Sequence, residues 1–103
     1  MDPNPEAWLE RILEDESWRS GLTDEQAGRL LQWALDRAGP YPEETGEALR
    51  RALRKIRRAV QACGEEAETL LSEWEISMPP GWMSWTIDER LAWVLQALSS
   101  WRP

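Results

Sequence analysis

The chain has 103 residues, a one-domain length, with 12 Lys+Arg against 19 Asp+Glu and a formal net charge of −7. It has no His and one Cys, which excludes a Ser-His-Asp triad, a Cys-His dyad, an imidazole metal site, an internal disulfide and a CxxC motif. The start, MDPNPEAW, lacks the basic and apolar stretches of a signal peptide, and the longest apolar run, Leu91 to Leu95, is far short of the ~20 residues that span a bilayer. A cytoplasmic location is the expectation.

The charge is unevenly placed. Residues 1–49 carry 12 acids and 4 bases, residues 50–63 carry 6 bases and no acid, and residues 64–103 carry 7 acids and 2 bases. One concentrated basic segment therefore sits in an acidic chain. No internal repeat, low-complexity tract or β-type alternation appears, and the dominant period is helical.

The first helix is expected from Pro5, with Asn4 as N-cap and Glu6 at the positive dipole end. Trp8, Leu9, Ile12 and Leu13 form its apolar stripe, and it ends between Asp15 and Ser20, before Gly21. The second helix opens on a Thr23/Gln26 capping box with Leu22 stapling onto Ala27. Ala27, Leu30, Leu31, Ala34, Leu35 and Ala38 repeat at helical spacing, and Gly39-Pro40 stops the helix. At about 100° per residue, Trp33 falls on the rim of that stripe.

The third helix starts near Pro42, with Glu43 and Glu44 in its first turn. Its apolar stripe runs through Leu49, Ala52, Leu53, Ile56, Ala59, Val60 and Cys63, opposite a purely basic face. The apolar phase continues past Gly64 through Ala67, Leu70, Leu71 and Trp74, which permits one long helix. The charges favour a break there: bases precede Gly64, and Glu65, Glu66 and Glu68 follow it, as at a C-terminus meeting an N-terminus. Residues 76–85, ISMPPGWMSW, read as a loop. The last helix opens on a Thr86/Glu89 capping box and buries Ile87, Leu91, Val94, Leu95, Leu98 and Trp101, with Trp93 at the rim. The fold expected is all-α, a single small bundle of four to five helices over residues 1–103.

Two features point to binding. The first is the basic face of Arg50, Arg51, Arg54, Lys55, Arg57 and Arg58. It suits nucleic-acid phosphate or an acidic protein, and least a membrane, because the apolar side is needed for the core. The alternative is neutralisation by the chain's own acids, Glu10, Glu14, Asp15 and Glu16 or Glu73 and Glu75. The second is tryptophan: eight in a chain without Phe. Trp8, Trp74 and Trp101 fit a core. Trp82 and Trp85, with Met78 and Met83, sit in the Pro-containing loop, where they either recognise a protein or close over the core.

Cys63 reads as a core thiol. The carboxylate pairs Glu43/Glu44, Glu65/Glu66 and Glu73/Glu75 lack a context that makes them catalytic or metal-binding, and no Gly-rich phosphate loop occurs. No catalytic residue, cofactor or metal is expected. The function expected is a small non-enzymatic helical protein-protein interaction module or accessory subunit of a larger assembly. The partner is another protein or a second copy, since Trp33 and Trp93 add apolar surface at two helix rims. The alternative is a nucleic-acid-binding accessory protein using the helix face at 50–58. An enzyme built on carboxylates ranks last.

Overall fold

The computed structural model describes the backbone of residues 5–38 and 42–102 and the side chains of 8–38 and 46–102. The chain is all-α: α1 (Pro5–Glu14), α2 (Asp24–Ala38), α3 (Pro42–Gln61), α4 (Gly64–Ser72) and α5 (Ile87–Ala97), with a 3-10 turn at Trp82–Ser84. No strand occurs among the described residues, and none of their helices is long and apolar enough to cross a membrane. Asn4, the Gly39-Pro40 stop and the side chains of Glu6, Glu43 and Glu44 lie outside the described residues. The chain forms two compact units, one reaching to Arg54 and including Arg102, the other Lys55–Trp101, with the division inside α3.

In the first unit, α1 starts at Pro5 and ends at Glu14, earlier than the sequence suggests. The cause is local. The Asp15 carboxylate accepts from the Ser17 amide at 2.9 Å and from its hydroxyl, and this turn competes with further helix. Trp8 and Ile12 of the expected stripe are buried, Leu9 is half-buried and Leu13 is exposed. The turn instead buries Trp18, whose indole N–H donates to the Ile12 carbonyl at 2.7 Å. Ile12 lies in the last turn of α1, where its carbonyl has only the Asp15 amide at 3.2 Å, and the indole completes the cap. At α2 the capping box forms as expected: the Thr23 amide donates to Gln26 Oε1 at 2.9 Å, and the Gln26 amide donates to Thr23 Oγ1 at 3.1 Å. Leu30, Ala34 and Ala38 are buried, and Leu35 is exposed. Trp33 is not a rim residue: it is only 5 % exposed, and the Arg37 guanidinium covers its ring 4.5 Å from the centroid. On α3 of this unit Leu49, Ala52 and Leu53 are buried.

In the second unit, Ile56, Ala59 and Val60 continue the buried stripe of α3. The helix ends at Gln61 and α4 begins at Gly64, whose φ of 45° lies in the left-handed region that suits glycine. The break moves Cys63 out of the stripe's phase. It becomes the extended N-cap residue of α4, and its thiol is exposed rather than part of the core. The far end of α4 closes with a Schellman pattern: the Glu75 amide reaches Ser72 O at 2.9 Å and the Ile76 amide reaches Leu71 O at 3.1 Å. Glu75 takes the left-handed position, φ 60°, that glycine usually fills. The capping box of α5 is complete, with both the Glu89 amide to Thr86 Oγ1 and the Thr86 amide to Glu89 Oε1 at 3.1 Å. Leu91, Val94 and Leu98 are buried, whereas Trp74 and Trp101 are half-buried rather than core.

Candidate interaction surfaces

The basic face of α3 is tied to the chain's own acids. In the first unit, Arg50 donates to Asp15 Oδ2 through Nη2 at 2.8 Å and Nε at 3.3 Å, and Arg54 approaches the same oxygen at 3.6 Å. Glu47, one turn earlier on the same helix, lies 3.6 Å from both Arg50 and Arg51 and 3.7 Å from Arg54. In the second unit, Lys55 pairs with Glu73 at 3.2 Å and Arg58 with Glu66 at 3.4 Å, while Arg57 donates to Gln61 at 3.0 Å. Asp15 and Glu73 are two of the acids the sequence offered as neutralisers. Glu47 and Glu66 were not foreseen, although their i,i+3, i,i+4 and i,i+8 spacings to these arginines were visible in the sequence. Arg51 and Arg58 stand furthest into solvent, at 73 % and 56 % exposure.

Asp15 is the anchor of this network. The Ser17 hydroxyl and the Arg50 guanidinium hold its carboxyl at about 2, below its ordinary 3.8. A carboxyl depressed by folding stabilises the native state above its unfolded value, and that stabilisation is lost as pH falls from about 4 to about 2. Asp15→Asn removes the effect. We expect it to cost on the order of 2 kcal/mol at pH 7 and close to nothing at pH 2. Urea melts of both proteins across that range check this; a pH-independent gap defeats it.

The tryptophan-rich turn before α5 lies wholly in the second unit. Trp82 is 1 % exposed, so its ring presents no surface to a partner; of its two readings, contact with a partner fails and closure over the core is what the structure has. Around it stand Trp85, centroid 5.9 Å away and tilted, and Trp93, 6.1 Å away and edge-on. Both are half-buried, and Met83 is 55 % exposed. The Met83 sulfur accepts from the Gly64 amide at 3.1 Å, which fixes the turn to the start of α4.

One side chain holds this turn, and the sequence reading passed over it. Arg90 is buried, and it donates to the carbonyls of Trp82 at 3.0 Å, Val60 at 3.0 Å and Met83 at 3.4 Å. Its guanidinium also stands 5.4 Å from the Trp82 ring centroid. A signal was present: residues 87, 90, 91 and 94 share one face of a helix, so Arg90 is a lone base on the apolar stripe. Two prolines and a glycine had suggested an irregular loop. Gly81, at φ 86°, instead starts the 3-10 turn, and Arg90 then holds two of its carbonyls.

Among the described residues no group of three or more His, Cys, Asp or Glu is placed to hold a metal ion. Comparison with known protein families, curated proteins and solved structures gave no match for this chain.

Proposed function

We propose that this chain is a non-enzymatic helical protein-protein interaction module, or an accessory subunit of a larger assembly, acting in the cytoplasm. The observation that carries the reading is the turn before α5. Exposed Met83 and half-exposed Trp85 and Trp93 stand around a buried Trp82 whose backbone is clamped by Arg90. Aromatic anchors with a methionine beside them, set on a rigid support, suit recognition of another protein. The nucleic-acid reading has less support. A phosphate would have to displace Asp15, Glu47, Glu66 or Glu73 from the bases it contacts.

A photo-cross-linker placed at position 83 in living cells tests the module reading. Adducts with another protein or a second copy are expected there, and not from a cross-linker at exposed Glu25 on α2. Absence of adducts at 83 overturns the reading. DNA or RNA binding with a steep salt slope, lost on charge reversal of Arg51 and Arg58, would replace it with the nucleic-acid alternative.

A further inference from the structure

We infer that the patch of Met83, Trp85 and Trp93 docks a basic amphipathic helix of a partner protein, a segment with Lys and Arg beside a short apolar stripe. The inference rests on the interaction reading above and names the chemistry of the occupant.

Charge is the first support. Residues 64–101 contain seven carboxylates, all exposed, and a single base, Arg90, which is buried. Every charge that this stretch shows to solvent is negative. The other bases of this unit, Lys55, Arg57 and Arg58, lie on α3, where Lys55 and Arg58 pair with Glu73 and Glu66; carboxylates remain in excess, and that excess favours a cationic partner over nucleic acid or an acidic protein. A symmetric contact would pair this patch with its own copy, Glu89 and indoles on both sides, and bring no cation to either, so a second copy is a poor occupant.

The indoles are the second support. Three tryptophans of this chain already carry a cation: Arg37 stands 4.5 Å from the Trp33 centroid, Lys55 5.3 Å from Trp74, and Arg90 5.4 Å from Trp82. The Lys55 site shows the full arrangement, with an indole on one side and the Glu73 carboxylate 3.2 Å away on the other. Glu89 and Trp93 repeat those components four residues apart on one face of α5, with Trp85 next to the same buried Trp82. Glu89 uses Oε1 in the capping box, and Oε2 takes no part in it. Among the described residues no cation of the chain covers Trp85 or Trp93. A Lys or Arg from outside meets an indole face and a carboxylate together, and Met83 supplies an adaptable apolar contact for the neighbouring stripe.

The probe is a fluorescein-labelled amphipathic Leu/Lys peptide of about 18 residues, five helical turns. Its counterpart has Glu in place of Lys. Anisotropy titrations use the full chain. The Lys peptide should bind and the Glu peptide should not. Trp85→Ser with Trp93→Ser leaves the net charge unchanged and should weaken the Lys peptide by about tenfold. Trp93→Leu keeps an apolar side chain against Trp82 and should still weaken binding several-fold, so a folding defect in the Ser variant does not obscure the result. Equal binding by the parent and the Trp93→Leu protein reduces the association to bulk charge and overturns the inference. So does binding of the Glu peptide. If the Lys peptide fails while position 83 still cross-links a protein, the docking surface stands and its basic occupant falls. If both fail, the module reading falls with it.

Discussion

Arg90→Met is expected to destabilise the protein by about 1–3 kcal/mol, as stranding buried carbonyls that a side chain hydrogen-bonds does. The side chain is buried and serves three carbonyls. Val60 O is the most exposed to loss. It lies in the last turn of α3, where carbonyls have no helical donor, and the Gly64 amide that follows goes to the Met83 sulfur instead. Trp82 O keeps a second donor, the Trp85 amide at 3.1 Å. Met removes all three donors and the positive charge at the negative end of α3, while its size keeps the space filled. Chains of this length have a total stability of about 5–15 kcal/mol, so the loss is a large share. Arg90→Lys should recover less than half of it, because one ammonium on a flexible stem does not reach all three carbonyls on the two segments. Urea midpoints measure the loss, and hydrogen exchange should show protection at Ser84 and Trp85 falling with it. A Met variant within about 1 kcal/mol of the parent would mean that the turn holds without the clamp.

The devices legible in the sequence are those whose chemistry is local. Both capping boxes need only residues three apart, and both form where Thr23/Gln26 and Thr86/Glu89 stand. The break at Gly64 follows from the charges on its two sides, and the positive φ of that glycine fits it. What failed depended on side-chain contacts and turn geometry that an ideal helical wheel does not show. Trp33 sits at the edge of its stripe by angle, but a side chain that large is buried once Arg37 lies over it. Trp18 carries no periodic signal because polar residues flank it, and it is buried through a turn made by Asp15 and Ser17. Cys63 was assigned to the core by extending a helical phase two residues past the helix end. The basic face was left open between a partner and the chain's own acids. The pairs that Arg50 and Lys55 make, with Asp15 and Glu73, are tertiary, and no spacing rule supplies them.

Gly46→Ala and Gly28→Ala should move stability in opposite directions, although both put Ala for Gly inside a helix. On propensity alone each gains about 0.5–1 kcal/mol. Gly28, on exposed ground in α2, has nothing within 4 Å of a new Cβ, so that gain should appear in full. Gly46 on α3 faces the edge of the Trp8 indole, and a Cβ there would overlap Nε1 and Cδ1. The indole is rigid and buried, with no flexible end to swing aside. Either α1 shifts or Trp8 leaves its seat, and overpacking of this kind costs about 1–3 kcal/mol or more. The net expectation for Gly46→Ala is a loss of about 2 kcal/mol after the propensity gain is taken off. Urea midpoints of the two variants decide the sign of each. Trp8→Leu made in the Gly46→Ala background completes a double-mutant cycle. If the clash is the cause, the smaller side chain absorbs the new methyl, and the two changes together cost less than the sum of each alone. Strict additivity would place the cost of Gly46→Ala elsewhere than at Trp8, and would remove the contact that seats α1 on α3.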